Sequence, residues 1–373
     1  MEDNRFGSAI CPYDSDSTHP RIDFLFNLVA QVSPATYWEN DDSARMSFDY
    51  FYSNKNNLQN EWEKVRDTFV RLRDLANSPK SYHYMSYLVY HSSSHSRKQQ
   101  RQQQRYKDKA WAVSEALELY RQHGFTNSIN MMRELIKNKL SLKGELPDYN
   151  DKIKCRRVFV LHNIESLLKR IESLENASLD IRSMDITFPF ELLYSQNWDI
   201  EHIASRTDND LTNTKDRQDW IDGFKSDYTE LLPSLNGKIK AYLNAQSQKD
   251  KDATFNDLYK EAIEAIENQI RTRGIEPIKD KDDISNLVLL DEHTNRSYHN
   301  SLMPRKRRII LFAADDGLKE ENISVAYILP CTLKVFQKSY NRDIKNLTSM
   351  EWILPDAEAY RKDIEDKLKY YLQ

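Results

Sequence analysis

The sequence is poor in the residues that break helices or cross-link small folds. Its 373 residues include only 7 glycines, 11 prolines and 3 cysteines. So few breakers favour helices over hairpin-rich sheets. The cysteines, Cys11, Cys155 and Cys331, are too few and too scattered for a zinc knuckle or a disulfide framework. We therefore expect a mainly α protein, and a reducing cytoplasm as its location.

An excess of positive charge and long apolar runs are also missing. The net charge of -4 excludes a uniformly basic coat, so any nucleic-acid surface has to be a local patch. No window approaches the roughly 18 consecutive apolar residues of a membrane span. The first residues, Met1–Asn4, lack the apolar core of a secretory signal. We therefore expect neither a span nor a signal peptide.

Apolar residues do recur at helical spacing through much of the chain. One stripe follows three- and four-residue steps through Leu58, Trp62, Val65, Phe69 and Leu72. It predicts an amphipathic helix whose stripe faces the core. Trp62 could instead stack on a base, but its place on the stripe favours the core. A second stripe, within a later polar region, comprises Leu258, Ala262, Ile263, Ile266 and Ile270.

Basic residues concentrate in two places. Between residues 97 and 109 they alternate with glutamines, as Arg97, Lys98, Arg101, Arg105, Lys107 and Lys109. Such a run can follow phosphates or form a solvated helix face, and the sequence leaves both open. The second cluster, Pro-Arg-Lys-Arg-Arg at 304–308, precedes an aliphatic run. It is a candidate contact for the phosphates that flank a cleaved bond.

Two stretches far apart in the chain carry the residues best suited to catalysis. Residues 198–203, Trp-Asp-Ile-Glu-His-Ile, place Glu201 beside His202. Residues 286–290, Asn-Leu-Val-Leu-Leu, begin with Asn286, and Asn295 follows. The acid–histidine pair alone is a weak signal, because the chain has 9 histidines and 58 acidic residues. Together the two stretches repeat the order and spacing of an HNH, or ββα-metal, nuclease motif.

These residue types match the needs of phosphodiester hydrolysis. A base must take a proton from water, and positive charge must stabilise the phosphate and the departing oxygen. Histidine has suitable basicity near neutral pH. A hard divalent ion such as Mg²⁺ supplies the charge and accepts carboxylate and amide oxygens as ligands.

At this level of detail the sequence resembles a known family. The two stretches, with Lys306 and Arg307 behind them, look like the HNH nuclease module of GmrSD-type restriction endonucleases, which are modification-dependent (Type IV) anti-phage enzymes. Patchy similarity also covers other segments from about residue 20 onward: Arg21–Phe26, Phe188–Leu192 and Pro330–Phe336. The resemblance implies a metal-dependent DNA endonuclease using Mg²⁺ or Mn²⁺.

The resemblance also implies a role for each matching residue. His202 is expected to be the general base, with Glu201 and Asn295 as metal ligands. Asn286 is expected to fix the loop by hydrogen bonds from its side chain to the backbone. The remaining matches have less defined roles as site or phosphate contacts: Asn300, Arg305, Lys306 and Arg307.

The chain departs from the family pattern in two respects. Ala204 and Ser205 stand where the family usually has a proline, which affects the loop rather than the chemistry. The Asp-Gly-Gln-Gln-Arg type motif of the family's nucleotide-dependent sensor domain does not occur. The resemblance therefore implies that a separate sensor protein is a partner, alongside DNA.

The expected architecture follows from these assignments. We predict a polar tail over residues 1–18 and a helical domain over 19–190. An HNH ββα-metal (His-Me finger) nuclease domain should span 191–312, with a helical insertion at about 205–283. A C-terminal segment, 313–373, should end in a helix. The first strand should carry the acid–histidine pair, and the second should be Leu287–Leu290.

The sequence leaves two other functions open. A non-catalytic helical scaffold could bind nucleic acid or a partner and keep a relict HNH fold. An RNase-type toxin could use the same chemistry, because the metal reaction does not distinguish RNA from DNA.

Overall fold

The fold is mainly α-helical, as the scarcity of glycine and proline predicts. The structure is a computed structural model, and it describes residues 7, 9–10, 21–31, 43–92, 102–178, 186–206, 211–292, 294, 301–312, 327–341, 343 and 350–373. These residues form two compact units. The first comprises 1–143, 164–195 and 373, and the second 144–163 and 196–372.

The first unit is built from helices. In chain order they are α1 (Arg21–Gln31), α2 (Ser43–Ser53), α3 (Leu58–Asn77), α4 (Pro79–Ser92), α5 (Gln102–Leu140), α6 (Lys152–Asn176) and α7 (Phe190–Ser195). Helix α6 contributes its later residues to this unit and its earlier residues to the second. Every residue from Ser81 to Tyr90 in α4 is buried. A helix that is buried on all sides is central to its unit.

Gly124 interrupts α5. Its backbone has φ 74° and ψ 169°, which is not helical. Glycine adopts positive φ at little steric cost, so it ends one helix and lets the next start in a new direction. The basic stretch 97–109 only partly belongs to this element. Residues 97–101 lie outside the described residues, and 102–109 are helical.

Helix α3 is present as predicted, but in its first turns the buried face differs from the predicted one. Val65 and Leu72 are buried, whereas Leu58 is 58% exposed and Trp62 is 61% exposed. In the first turns the inward position belongs to Glu61, which accepts hydrogen bonds from the Tyr50 hydroxyl at 2.7 Å and the Lys64 ammonium at 2.8 Å. The prediction that Trp62 is a core residue is therefore wrong, because a satisfied carboxylate takes the inner side.

A buried histidine, His83, links two segments of the first unit that are distant in the chain. The ring of His83 accepts a hydrogen bond at Nε2 from the backbone N–H of Phe188, at 3.0 Å. The proton must therefore be on Nδ1, which lies 2.5 Å from the carbonyl oxygen of Pro79. Burial lowers the pKa of His83 from its ordinary value of 6.5 to about 4, so the ring is neutral.

The second unit combines a small sheet with helices. Its further elements are β1 (Trp198–His202), α8 (Thr214–Asp227), α9 (Leu232–Asn244), α10 (Gln248–Thr272), β2 (Leu287–Asp291), α11 (Met303–Phe312), α12 (Pro330–Phe336) and α13 (Leu354–Leu372). Helices α8 to α10 lie between the two strands in sequence and share one apolar core. The predicted stripe of α10 is buried throughout, which confirms a helix with this buried face.

Strands β1 and β2 pair antiparallel, with His202 opposite Leu287 and Trp198 opposite Asp291. Both strands lie where the sequence predicts them. Strand β2 is buried at all five positions, whereas β1 alternates between buried and half-buried residues. Trp198, Ile200 and His202 therefore share the buried face of β1, whereas Asp199 and Glu201 lie on its half-buried face.

The division into units differs from the predicted domains. Residues 144–163 belong with the sheet and α13, rather than with the preceding helices. Ala9 and Ile10, within the expected polar tail, are buried, and the Ala9 carbonyl accepts from the Tyr194 hydroxyl at 3.1 Å. Across the described residues, every helix is too short or too polar to traverse a bilayer.

Candidate functional site

Glu201 and His202 are consecutive residues at the end of β1. Side chains alternate along a strand, so the two point to opposite faces. Glu201 lies opposite Val288, and His202 lies opposite Leu287, where β2 begins. Each side chain therefore meets a different part of the unit, although the two residues are neighbours in the chain.

Helix α11 supplies the partner of Glu201. The ammonium of Lys306 lies 2.6 Å from Oε1 of Glu201 and 2.5 Å from the carbonyl oxygen of His202. Lys306 is only 1% exposed, so its charge is held inside the protein. A buried cation needs such acceptors, because an unpaired charge in the interior is costly. Lys306 thus fixes α11 against the acid–histidine pair.

His202 is held from its other side by two residues. Its Nε2 lies 2.9 Å from Oδ1 of Asp282, and its ring centroid is 4.2 Å from that of Tyr149. A carboxylate accepts hydrogen bonds, so Nε2 carries the proton and donates. In the neutral ring this leaves Nδ1 with the lone pair. Asp282 therefore sets the orientation of an imidazole whose Nδ1 can accept a proton.

The electrostatic environment keeps His202 neutral near pH 7. Burial is the largest influence and lowers the pKa of the imidazole. The hydrogen bond to Asp282 and the charge of Glu201 act in the opposite direction, and the charge of Lys306 lowers the pKa further. The net shift is downward from 6.5, so the ring can accept a proton at neutral pH.

Asn286 joins the segment after β1 to the segment before β2. Its Oδ1 accepts from the backbone N–H of Ala204 at 2.8 Å, and its Nδ2 donates to the carbonyls of Ala204 and Lys281 at 3.0 and 2.9 Å. Its own carbonyl accepts from the Ile203 N–H at 2.8 Å. Asn286 is fully buried, so these bonds fix the backbone around His202 without competition from water.

Tyr149 and Asp282 are site residues that the sequence alone does not identify. Asp282 is 80 positions from His202 in the chain and lies in a mixed run of lysines and aspartates that has no periodic pattern. Tyr149 sits in a short 3₁₀ turn before α6, and its backbone N–H donates to the Asp282 carbonyl at 2.9 Å. The sequence does hold one indication of Asp282: it lies only a few residues before Asn286. If Asn286 fixes this loop, the residues beside it are also held near the site.

The basic side chains of residues 305–308 contact other residues of this chain. Lys306 is buried against Glu201, as described above. Arg307 donates from Nε to the Phe336 carbonyl at 2.8 Å, and Arg308 pairs with Asp227 at 2.6 Å. The side chain of Arg305 lies beside Gly223 in α8. These contacts attach α11 to α8 and α12.

Of the two predicted metal ligands, the structure describes Glu201. Asn295 and Asn300 lie outside the described residues. Among the described residues, no three or more His, Cys, Asp or Glu side chains cluster as ligands. Mg²⁺ commonly binds through one or two carboxylates and keeps several waters, so the Glu201 carboxylate fits such an ion. The Lys306 ammonium already neutralises that carboxylate and opposes a second cation there.

Comparison with known proteins gives no relative: the chain matches no family model, no curated protein and no solved structure.

Proposed function

We propose that the protein is a metal-dependent HNH endonuclease that hydrolyses phosphodiester bonds in DNA. The observation that carries the proposal is the arrangement at the end of β1. A neutral imidazole, oriented by Asp282 at 2.9 Å, stands next to the carboxylate of Glu201 in the chain. Metal-assisted hydrolysis of a phosphodiester requires a basic nitrogen and an oxygen ligand, and the end of β1 supplies one of each, on opposite faces of the strand.

In the proposed reaction His202 acts as the general base. Its Nδ1 takes a proton from water as the water oxygen forms a bond to phosphorus and the bond to the leaving oxygen breaks. Asp282 stabilises the imidazolium that results, because its carboxylate accepts the Nε2 proton. Asn286 keeps the backbone on both sides of the imidazole in place. A divalent ion, held by Glu201 and Asn295, would supply positive charge to the phosphate.

The substrate and the partner are further parts of the proposal. The resemblance of residues 198–203 and 286–300 to GmrSD-type enzymes supports DNA as the substrate and a role in a restriction, anti-phage system. It also supports a separate nucleotide-dependent sensor protein as the partner that recognises modified DNA.

One contact favours a second candidate function. The Glu201–Lys306 pair at 2.6 Å satisfies the carboxylate without any metal. This is what a relict site would look like in a non-catalytic scaffold that binds DNA or a partner. A catalytic site must release this carboxylate to the metal, whereas a scaffold keeps the pair at all metal concentrations.

Metal-dependent cleavage tests the proposal and separates the two candidates. The purified chain, alone and with any co-purifying protein, is incubated with modified and unmodified plasmid DNA and Mg²⁺ or Mn²⁺. We expect nicking or cutting that stops in excess chelator and is lost in Glu201→Gln. The matched control, Glu264→Gln in α10, should cut normally. No cleavage under any of these conditions, or cleavage that survives the chelator, overturns the proposal.

A further inference from the structure

Tyr149 contacts both members of the hydrogen-bonded pair formed by His202 and Asp282. Its ring centroid lies 4.2 Å from that of the His202 imidazole, with 46° between the two ring planes. Its backbone N–H donates to the carbonyl oxygen of Asp282 at 2.9 Å. A single residue therefore meets the imidazole with its side chain and, with its backbone, holds the residue that orients the imidazole.

The turn that carries Tyr149 is itself fixed to the start of α6. Asp148 caps this 3₁₀ turn by accepting a hydrogen bond from the backbone N–H of Asn150 at 2.9 Å. The thiol of Cys155, in α6, donates to the carbonyl oxygen of Asp148 at 3.0 Å. Burial raises the pKa of this thiol to about 12, so the thiol stays protonated and keeps donating. These bonds restrict the backbone of the turn, so the Tyr149 ring is mounted on a rigid support.

The Tyr149 hydroxyl has a partner of its own. It accepts a hydrogen bond from the ammonium of Lys152, an exposed residue, at 2.7 Å. The contacts with His202 and Asp282 come instead from the aromatic ring and the backbone N–H. The ring is therefore the part of the side chain that acts on the imidazole, and a phenylalanine at this position keeps it.

One hydrogen bond does not fix the orientation of an imidazole. His202 Nε2 donates to Oδ1 of Asp282 at 2.9 Å, but the torsion that turns a histidine ring about its Cβ–Cγ bond has a broad energy minimum. A second ring packed 4.2 Å away limits that rotation and covers one side of the imidazole. The Asp282 side chain is 32% exposed, so without this cover water competes for the Nε2 proton.

We propose that Tyr149 is a positioning residue for His202: its ring restricts the imidazole, and its backbone N–H keeps Asp282 at Nε2. The inference rests on the proposed function for the role of His202 as general base. Tyr149 belongs to the segment 144–163, which lies outside both motif stretches and forms part of the second unit. Misplacing a reacting group by about 1 Å can cost on the order of 10²-fold in rate, so a residue that fixes the base affects kcat without touching substrate.

Proton exchange at His202 Nε2 measures this positioning without any substrate. The full chain is labelled with ¹⁵N-histidine, and the Nε2–H resonance of His202 is assigned by its absence in His202→Ala. A proton that is bonded to Asp282 and covered by a ring exchanges slowly with water, so the unmodified chain should give a resolved signal near neutral pH. Tyr149→Ala should lose this signal to exchange with water, whereas Tyr149→Phe should retain it.

Cleavage kinetics give a second readout. Tyr149→Ala should lower kcat by about 10-fold to 10²-fold and leave KM within about twofold, and Tyr149→Phe should recover most of the rate. The matched control is Tyr52→Ala in the first unit. Lys55 lies 4.4 Å from the Tyr52 ring centroid, as Lys152 lies 4.0 Å from that of Tyr149, so the control removes the same tyrosine–lysine contact elsewhere. It should change neither readout.

Thermal unfolding of each variant shows whether the fold is retained. If Tyr149→Ala unfolds at the assay temperature, Tyr149→Leu, which keeps an apolar side chain without a ring, replaces it with the same expectations. The inference is overturned if the unmodified chain gives no protected Nε2–H signal, or if the variant without the ring keeps that signal.

The outcomes distinguish this inference from the proposed function. Loss of the Nε2–H signal in Tyr149→Ala, without metal-dependent cleavage by any chain, keeps the positioning of His202 and removes the nuclease. Cleavage that depends on His202, with kcat unchanged in Tyr149→Ala, keeps the nuclease and removes the positioning role.

Discussion

The Lys306 ammonium and the Glu201 carboxylate form a short ion pair, with Nζ 2.6 Å from Oε1, between α11 and β1. Lys306 is 1% exposed, so water hardly reaches the ammonium, which also donates to the His202 carbonyl. The pair therefore links the helix after the second motif to the strand that carries the first. It also places a positive charge where the proposed metal must bind.

Removing that lysine should destabilise the second unit. In Lys306→Met the Glu201 carboxylate, which is 13% exposed, loses its partner. An unpaired, largely buried charge costs about 3 kcal/mol, so the free energy of unfolding in urea should fall by that amount. Lys238→Met, which breaks the solvent-exposed pair with Glu261, should change it little.

A double variant provides the check on this explanation. Lys306→Met combined with Glu201→Gln removes both charges, so most of the lost stability should return. If the double variant is as unstable as the sum of the single variants, Lys306 contributes by packing alone and the ion pair is unimportant.

Asn286 should protect the backbone around His202 from opening. Asn286→Ala removes three hydrogen bonds and deprives the half-buried backbone groups of Ala204 and Lys281 of these partners. We expect a loss of about 3 kcal/mol in unfolding free energy and faster amide hydrogen exchange at Ala204. Exchange measured by mass spectrometry on the peptide 198–206 tests this. Asn236→Ala, at an exposed site in α9, is the control and should leave exchange of that peptide unchanged.

His83 should make the first unit less stable in acid. Its pKa is about 4 in the folded chain and 6.5 when unfolded, so below 6.5 the unfolded state binds a proton that the folded state does not. Stability from this residue is complete above pH 6.5 and is lost as pH falls toward 4, by about 3 kcal/mol. Unfolding free energies at pH 7.5 and 4.5 should therefore differ less in His83→Gln than in His123→Gln. Equal pH dependence in the two variants would contradict this account.

Asp282 should act through the orientation of His202. In Asp282→Asn the amide can offer Nε2 a donor, which favours the tautomer with the proton on Nδ1 and removes the proposed base. Cleavage should fall by about 10² to 10⁴ in kcat with little change in KM. Asp282→Glu, which keeps the acceptor, should recover part of the rate. If Asp282→Asn instead raised KM and left kcat unchanged, Asp282 would have a role in binding substrate.

The sequence predicts those parts of the fold that depend on local pattern. The α10 stripe lies where periodicity predicts a helix, and both strands lie where the two motif stretches predict them. The stripe of α3 predicts a helix, but it cannot reveal that Glu61 finds two hydrogen-bond partners and that Trp62 is left in solvent. Burial of a polar group is decided by partners distant in the chain, which a local pattern does not contain.

For the candidate site too, the sequence identifies some residues and the structure alone identifies others. Glu201, His202 and Asn286 stand out because motif order brings them to attention, and β1 and β2 place them at one end of the sheet. Asp282 and Tyr149 are recognisable only from three-dimensional contacts, since each reaches His202 from a loop without regular periodicity. The opposite orientation of Glu201 and His202 follows from the strand, but the identity of Lys306 as the partner of Glu201 does not.

The most direct measurement of the central claim is the rate of DNA cleavage by His202→Ala relative to His123→Ala, with divalent metal present. His123 is an exposed histidine in α5, so its loss controls for removal of an imidazole. If His202 is the general base, His202→Ala should cut at least about 10²-fold more slowly, and His123→Ala should cut like the unmodified chain. Equal cleavage by the two variants would contradict the account.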